Sequence, residues 1–99
     1  MSAMEKRAQA HSRLVEDNAR VRIHEWRFAP GAETGWHVHE HDYVVVYRTA
    51  AHHLVETLEG GIRVDAAEGH TYFRAKGVEH NVVNAGDAEI VLMEIELKG

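Results

Sequence analysis

The run Gly35–Tyr43, GWHVHEHDY, sets His37 and His39 two positions apart. On a β-strand alternate side chains share a face, so the two imidazoles stand about 6.5 Å apart along the backbone and look the same way. From such a base they can converge on one ion, and histidine is the commonest protein metal ligand. If the shared face is the inside of a small barrel, a metal is the economical reason for burying two polar rings there. A bare His-x-His is also what solvated histidines on a polar strand look like. Glu40-His41-Asp42 reads as a polar turn, which leaves His41 in solvent; only if the strand continues through it does His41 become a candidate ligand or base. Further along, Gly69, Ala75, Gly77, His80 and Asn84 place a single histidine at the start of a strand, behind two glycine-marked turns. The chain has nine histidines and no cysteine, so thiolate metal sites, cysteine nucleophiles and disulfides are excluded.

The elements that must carry these residues are strands. Residues 3–13 hold helix formers without an apolar stripe, which suits a short helix or a loose arm. Arg13–Glu16 and Arg20–Phe28 then read as strands around an Asp17-Asn18 turn. Pro30 and Gly31 break the chain before the histidine run. Tyr43–Arg48 is rich in β-branched and aromatic residues. His53–Leu58 and Ile62–Asp65 bracket a Glu59-Gly60-Gly61 turn, and His70–Arg74, Glu79–Asn84 and Glu89–Leu97 complete the set. Seven or more short strands at this spacing indicate a sandwich or barrel. With no linker in sight, residues 1–99 read as one domain, an arm over 1–12 and a barrel over 13–99. Alternation puts Trp26 and Phe28 on one face with His24, as barrel filling, and leaves Val21 and Ile23 on the other, available for a subunit contact. It also groups Met93 with Val91, Ile95 and Leu97, which reads as core. Tyr43, Tyr47 and Tyr72 are read as packing residues. Arg74 is expected to point to solvent; facing inward it would favour a carboxylate ligand through bidentate pairing. His11, His52, His53 and His70 are expected on the surface, and Asn84 is expected to tie a strand end.

On these residues the chain resembles a cupin. The first cupin motif, Gly, five residues, His-x-His, is matched by Gly31, His37 and His39; the second, ending in Gly-x2-His-x3-Asn, is matched by Gly69, Gly77, His80 and Asn84. The resemblance implies an all-β fold, a double-stranded β-helix or jelly-roll-like barrel of the RmlC-like kind, and one divalent metal held by His37, His39 and His80. Two positions depart from the pattern. Ala75 stands where the second motif has proline. Tyr43 and Val44 stand where the first motif has a glutamate, often the fourth protein ligand, and this is similar to the three-histidine cupins, some of them iron dioxygenases. Tyr43 is then a weak fourth ligand, a hydrogen-bonding neighbour of the ligands, or core; a phenol titrating near pH ~10 favours the last two. The runs RVRIHEWRFAPG and GVEHNVVNAG are also similar to small bacterial cupins, some labelled β-alanine degradation proteins.

Composition narrows the function. Apolar residues make up 44% of the chain and the formal charge is −5. Mild acidity argues against nucleic acid or an anionic membrane as partner. No apolar run reaches the roughly 20 residues of a membrane span, and no secretory h-region opens the sequence, so a cytoplasmic protein is expected. Two classes of function stand. One is a metal-dependent enzyme, most concretely a non-haem iron(II) oxygenase acting on a small polar metabolite, with Tyr43, His41 and Arg74 as the candidate side chains beyond the metal ligands. Fe2+ is the expected functional ion, with Zn2+, Ni2+ or Mn2+ as ions a purified sample could carry. The other is a non-catalytic barrel, a sensor or accessory protein that binds a metal or small molecule. A homodimer is expected, because so small a barrel leaves apolar faces and strand edges to cover, with the arm free to exchange.

Overall fold

The computed structural model describes residues 6–99. It is all β: His11–Asp17 (β1), Val21–Phe28 (β2), His37–Val38 (β3), Asp42–Tyr47 (β4), Ala51–Thr57 (β5), Gly60–Ala66 (β6), Thr71–Arg74 (β7), Glu79–Asn84 (β8) and Ile90–Leu97 (β9). Two sheets face each other, one in the order β1-β2-β9-β4-β7 and the other β3-β8-β5-β6, with antiparallel neighbours throughout. No helix among the described residues is long and apolar enough to cross a membrane.

Of the short helix or loose arm expected over residues 3–13, the helix is not formed in the described part. Residues 6–10 run extended, and β1 starts at His11, two residues before the strand expected there. The apolar stripe a helix needs was absent, and the backbone finds partners across the chain instead: Ala10 N donates to Glu33 O and Glu33 N to Ala8 O. Arg7 reaches Glu33 and Glu56, so this stretch lies against its own body. Residues 1–5, the rest of the expected arm, lie outside the described residues.

Alternation decides what faces inward. Tyr43, Val45 and Tyr47 on β4, Phe28 on β2, and Ile90 and Leu92 on β9 form the buried core, as read for the aromatics. On β9 the expected face is the wrong one. Leu92 and Glu94 line the interior, while Met93 and Ile95 pair across the outer surface with Val46, Val44 and Ile23. Hydrophobicity alone picks the more aliphatic set; of it Val91 is buried as read, while Met93, Ile95 and Leu97 are on the outer side.

Candidate metal centre

His37 on β3 pairs directly with His80 on β8, so two of the three motif histidines meet through strand register. His39 follows, its backbone tied on both sides to the turn before β8: its N–H donates to Val78 O and its carbonyl accepts from Gly77 N, both at 2.8 Å. Gly77 makes that turn with φ +101, a conformation side chains rarely adopt. The segment leading to His37 is clamped by Asn81, buried beside His80. Its Oδ1 accepts from Gly35 N at 2.9 Å, and its Nδ2 donates to Glu33 and Glu56, each at 2.8 Å.

These ties bring three Nε2 atoms together: His37 to His39 at 3.0 Å and His39 to His80 at 3.1 Å. His37 Nδ1 lies 2.8 Å from Gly35 O, which can only accept, so Nδ1 carries the proton and Nε2 offers its lone pair. Ligands about 2.1 Å from one ion stand about 3.0 Å apart at right angles and about 3.4 Å apart at tetrahedral angles. Two of the three separations match the right-angled spacing, and one ligand atom from each ring lies within 4.8 Å of the others, close enough to share one ion. His39 and His80 are 6% and 8% exposed. Burial first, then the neighbouring imidazoles, pushes His39 down to about 3; burial, then His37 and Arg74, pushes His80 down to about 4. Both rings are therefore neutral near pH 7, the form that binds metal. The donor set fits a divalent transition metal.

The other expected residues fall into place around this cluster. Tyr43, 1% exposed, stacks on His39 with ring centroids 3.9 Å apart, and burial raises its phenol well above the ordinary range. It is a protonated packing neighbour of the ligands. His41 sits in the bend before β4 and lines a shallow cleft that His37, His39, Glu94 and Glu96 also border, but it is not one of the three histidines whose ligand atoms cluster. Arg74 is exposed, as expected, but it also lines the cavity: it shares a side of β7 with Tyr72, over whose ring its guanidinium lies at 4.5 Å. Asn84 ties the strand end as expected, through Phe28 O and Ala88 O. His11, His52 and His70 are exposed, although His70 borders the cavity mouth. His53 is not a surface residue: it is 1% exposed, because its place on β5 turns it inward between Ala51 and Val55.

Sequence reasoning missed Glu94. Its Oε2 lies 3.9 Å from His39 Nε2, and burial, then Glu96, carries its carboxyl up to about 7, with the Trp26 indole N–H pulling weakly the other way. The signal was two acidic residues, Glu94 and Glu96, in an otherwise aliphatic strand. The three histidines, Glu94 and Arg74 all line one cavity of about 340 Å³.

Comparison with known proteins agrees with this architecture. No family model matches the chain. A β-alanine degradation protein, BauB, from Pseudomonas aeruginosa is 53% identical over 95 residues, covering 96% of this chain and all of that one. The crystal structure of a cupin domain from Bordetella pertussis superposes with a TM-score of 0.93 at 49% identity, over 96% of this chain and 99% of the other. A Klebsiella pneumoniae protein with a double-stranded β-helix domain matches at a TM-score of 0.78 and 18% identity, over 96% and 82% of the two chains, a likeness of fold alone.

Proposed function

This chain belongs to the cupin superfamily, and from that premise we propose that it is a metal-dependent enzyme of the non-haem iron(II) oxygenase type, acting on a small carboxylate-bearing metabolite. The observation that carries the reading is the convergence of three imidazoles on the wall of a cavity, His39 Nε2 lying 3.0 Å from His37 Nε2 and 3.1 Å from His80 Nε2. His37, His39 and His80 would hold one divalent transition metal, Fe2+ in function. Bound there, such an ion supplies Lewis acidity and a redox centre for oxygen chemistry. The rest is done by the chain. Tyr43 fixes the plane of His39 by stacking, and Gly35 O fixes the tautomer of His37. Arg74 at the mouth offers a guanidinium to a carboxylate. Glu94 Oε2, beside His39, is placed to hold or move a proton of the bound molecule. Valine and aromatic side chains keep water from the remaining wall.

The name of the BauB relative, a β-alanine degradation protein, supports breakdown of a small carboxylate as the setting. The outer aliphatic face of the larger sheet supports a homodimer. Oxygen uptake by the protein reconstituted anaerobically with Fe2+, Mn2+, Ni2+ or Zn2+, across a panel of short carboxylates, tests the proposal. Turnover is expected with Fe2+ only. Full activity with Zn2+ and none with Fe2+ sinks the oxygenase reading, and tight metal binding without turnover on any substrate favours a binding module.

A further inference from the structure

The cavity has a second polar feature, away from the three imidazoles. His53 sits on its floor against Phe28 and Tyr47, with ring centroids 5.2 and 5.6 Å away. Its Nδ1 lies 3.2 Å from Val83 O. A carbonyl only accepts, so Nδ1 carries the proton and Nε2 is a bare lone pair. That Nε2 is buried and has no hydrogen-bond partner among the described residues. Burial also lowers the affinity of the ring for a second proton, so the lone pair stays available. No side chain among the described residues bonds it. Asn84, the cross-strand partner of His53, has spent its amide on Phe28 O, Ala88 O and Gly86 N. The cavity lining includes Phe28, Val45, Val55, Val64, Val82 and Leu92, and the hydroxyl of the neighbouring Tyr47 is engaged with Tyr72.

We propose that His53 Nε2 is a recognition point for the ligand of this cavity, accepting a hydrogen bond from a neutral hydroxyl or amide N–H. The identification of a ligand here rests on the reading of the cavity as a substrate site. A lone acceptor in an apolar wall selects a donor, since an apolar group there leaves the nitrogen unpaired. An ammonium is the wrong donor. Glu94, the carboxylate on the cavity wall, lies two residues along β9 from Leu92, which is level with Tyr47 and so with the His53 floor. A buried cation without a counter-charge costs more than one hydrogen bond returns.

The position of His53 also sets a length. It pairs with Asn84, four residues along β8 from His80, about 13 Å of strand. Allowing about 3 Å for the hydrogen bond and about 2 Å for a metal contact leaves a chain of about six atoms at the extension of a polypeptide backbone. The ligand class is therefore a carboxylate, headed at the Arg74 and trio end, with a neutral donor at its far end.

Calorimetric titration of the full chain with ω-hydroxyhexanoate, hexanoate and ω-aminohexanoate tests this, with metal and after chelation. The hydroxy acid is expected to bind about tenfold tighter than hexanoate, and the amino acid no tighter than hexanoate. In His53→Phe the hydroxyl preference should shrink to within about twofold. Equal binding of hydroxy acid and hexanoate by the wild type means that water serves the nitrogen, and overturns the proposal. So does no measurable binding of any of the three, tightest binding of the amino acid, or a preference that survives in His53→Phe. Should that variant fail to fold, nitrogen NMR of the wild-type ring decides. Nε2 is expected unprotonated and shifted by the hydroxy acid but not by hexanoate; a protonated or unmoved Nε2 overturns the proposal. Failure of the metal reading would appear separately, as metal retained when His37, His39 or His80 is replaced.

Discussion

At the scale of single residues, the three imidazoles form one minimal ligand set, so each should matter and His41 should not. Replacing His37, His39 or His80 by Ala is expected to abolish stable occupancy, and His41→Ala to leave it near wild type, by elemental analysis. An ion at 100 times its dissociation constant adds about 2.7 kcal/mol to the native state, so melting curves with and without chelator should track the same division. Loss of metal in His41→Ala with retention in His80→Ala would remove the site assignment. Titration gives a second test, on the metal-free protein. His39, His80 and His53 stay neutral in the fold through burial, whereas unfolded histidines titrate near 6.5. As pH falls below about 6.5 the unfolded chain takes up protons that the native chain refuses, and each histidine removes up to about 1.4 kcal/mol of stability per pH unit. Glu94 has the opposite sign. Its carboxyl, raised from 4.5 to about 7, gives stability that is present below 4.5 and lost as pH rises to 7. Three histidines outweigh one carboxyl, so denaturant midpoints of the metal-free protein should fall between about pH 6.5 and about pH 5. For the same reason Glu94→Gln should stabilise the metal-free protein at about pH 8, by up to about 3 kcal/mol. An unchanged midpoint there would mean that Glu94 is not held in a water-poor setting.

At the scale of elements, the site is assembled by a clamp as much as by its strands. Asn81 joins the loop before β3 to Glu33 and Glu56, which also take the guanidinium of Arg7. Asn81→Ala leaves a part-buried backbone N–H without its partner and Glu33 and Glu56 with Arg7 as their remaining donor. A cost of about 2–3 kcal/mol in denaturant unfolding is expected, with metal affinity down at least about tenfold because His37 loses its support. Affinity unchanged in a destabilised variant would confine Asn81 to a structural role. None of this clamp is legible in the sequence, since it joins residues 48 positions apart at the longest. The strands are legible, because β-branched runs and glycine turns are local signals, and so are His37, His39 and His80, because their spacing matches a known pattern. Faces are legible only where polarity follows solvent. On β4 it does, and Tyr43 and Tyr47 are inside as read. On β9 it does not: the cavity claims Glu94 and the adjoining shallow cleft Glu96, so alternation points the strand the wrong way. His53 misleads for the same reason, as a polar residue placed in a core that binds something. Arg74 is a milder case, exposed as read yet lining the cavity from an edge strand, where parity alone gives no sign.

At the scale of the whole molecule, the inversion of β9 leaves a surface to account for. The outer face of the larger sheet carries Val21 and Ile23 on β2, Met93 and Ile95 on β9, and Val44 and Val46 on β4, in direct cross-strand register. Phe73, 53% exposed, extends it onto β7 beside Val44. Toward β1 the face ends in charge, where Glu25 lies between Arg13 and Arg27. A continuous aliphatic area bounded by paired charges is the pattern of a subunit contact rather than of solvent. The described part of the N-terminal stretch is spent on its own chain, so this face is the better basis for a dimer than strand exchange. A two-fold axis through the face brings Ile95 of one copy near the same residue of the other and stacks two sheets as in a sandwich. Sedimentation equilibrium at micromolar concentration should give twice the 11.2 kDa chain mass. Ile95→Arg, flanked by Ile23 and Val44, would place two unpaired guanidinium groups in that contact and should yield monomer. Because Ile95 faces away from the cavity, the monomer should keep its metal. A wild-type monomer would refute the dimer, and a metal-free Ile95→Arg monomer would mean that the site depends on assembly.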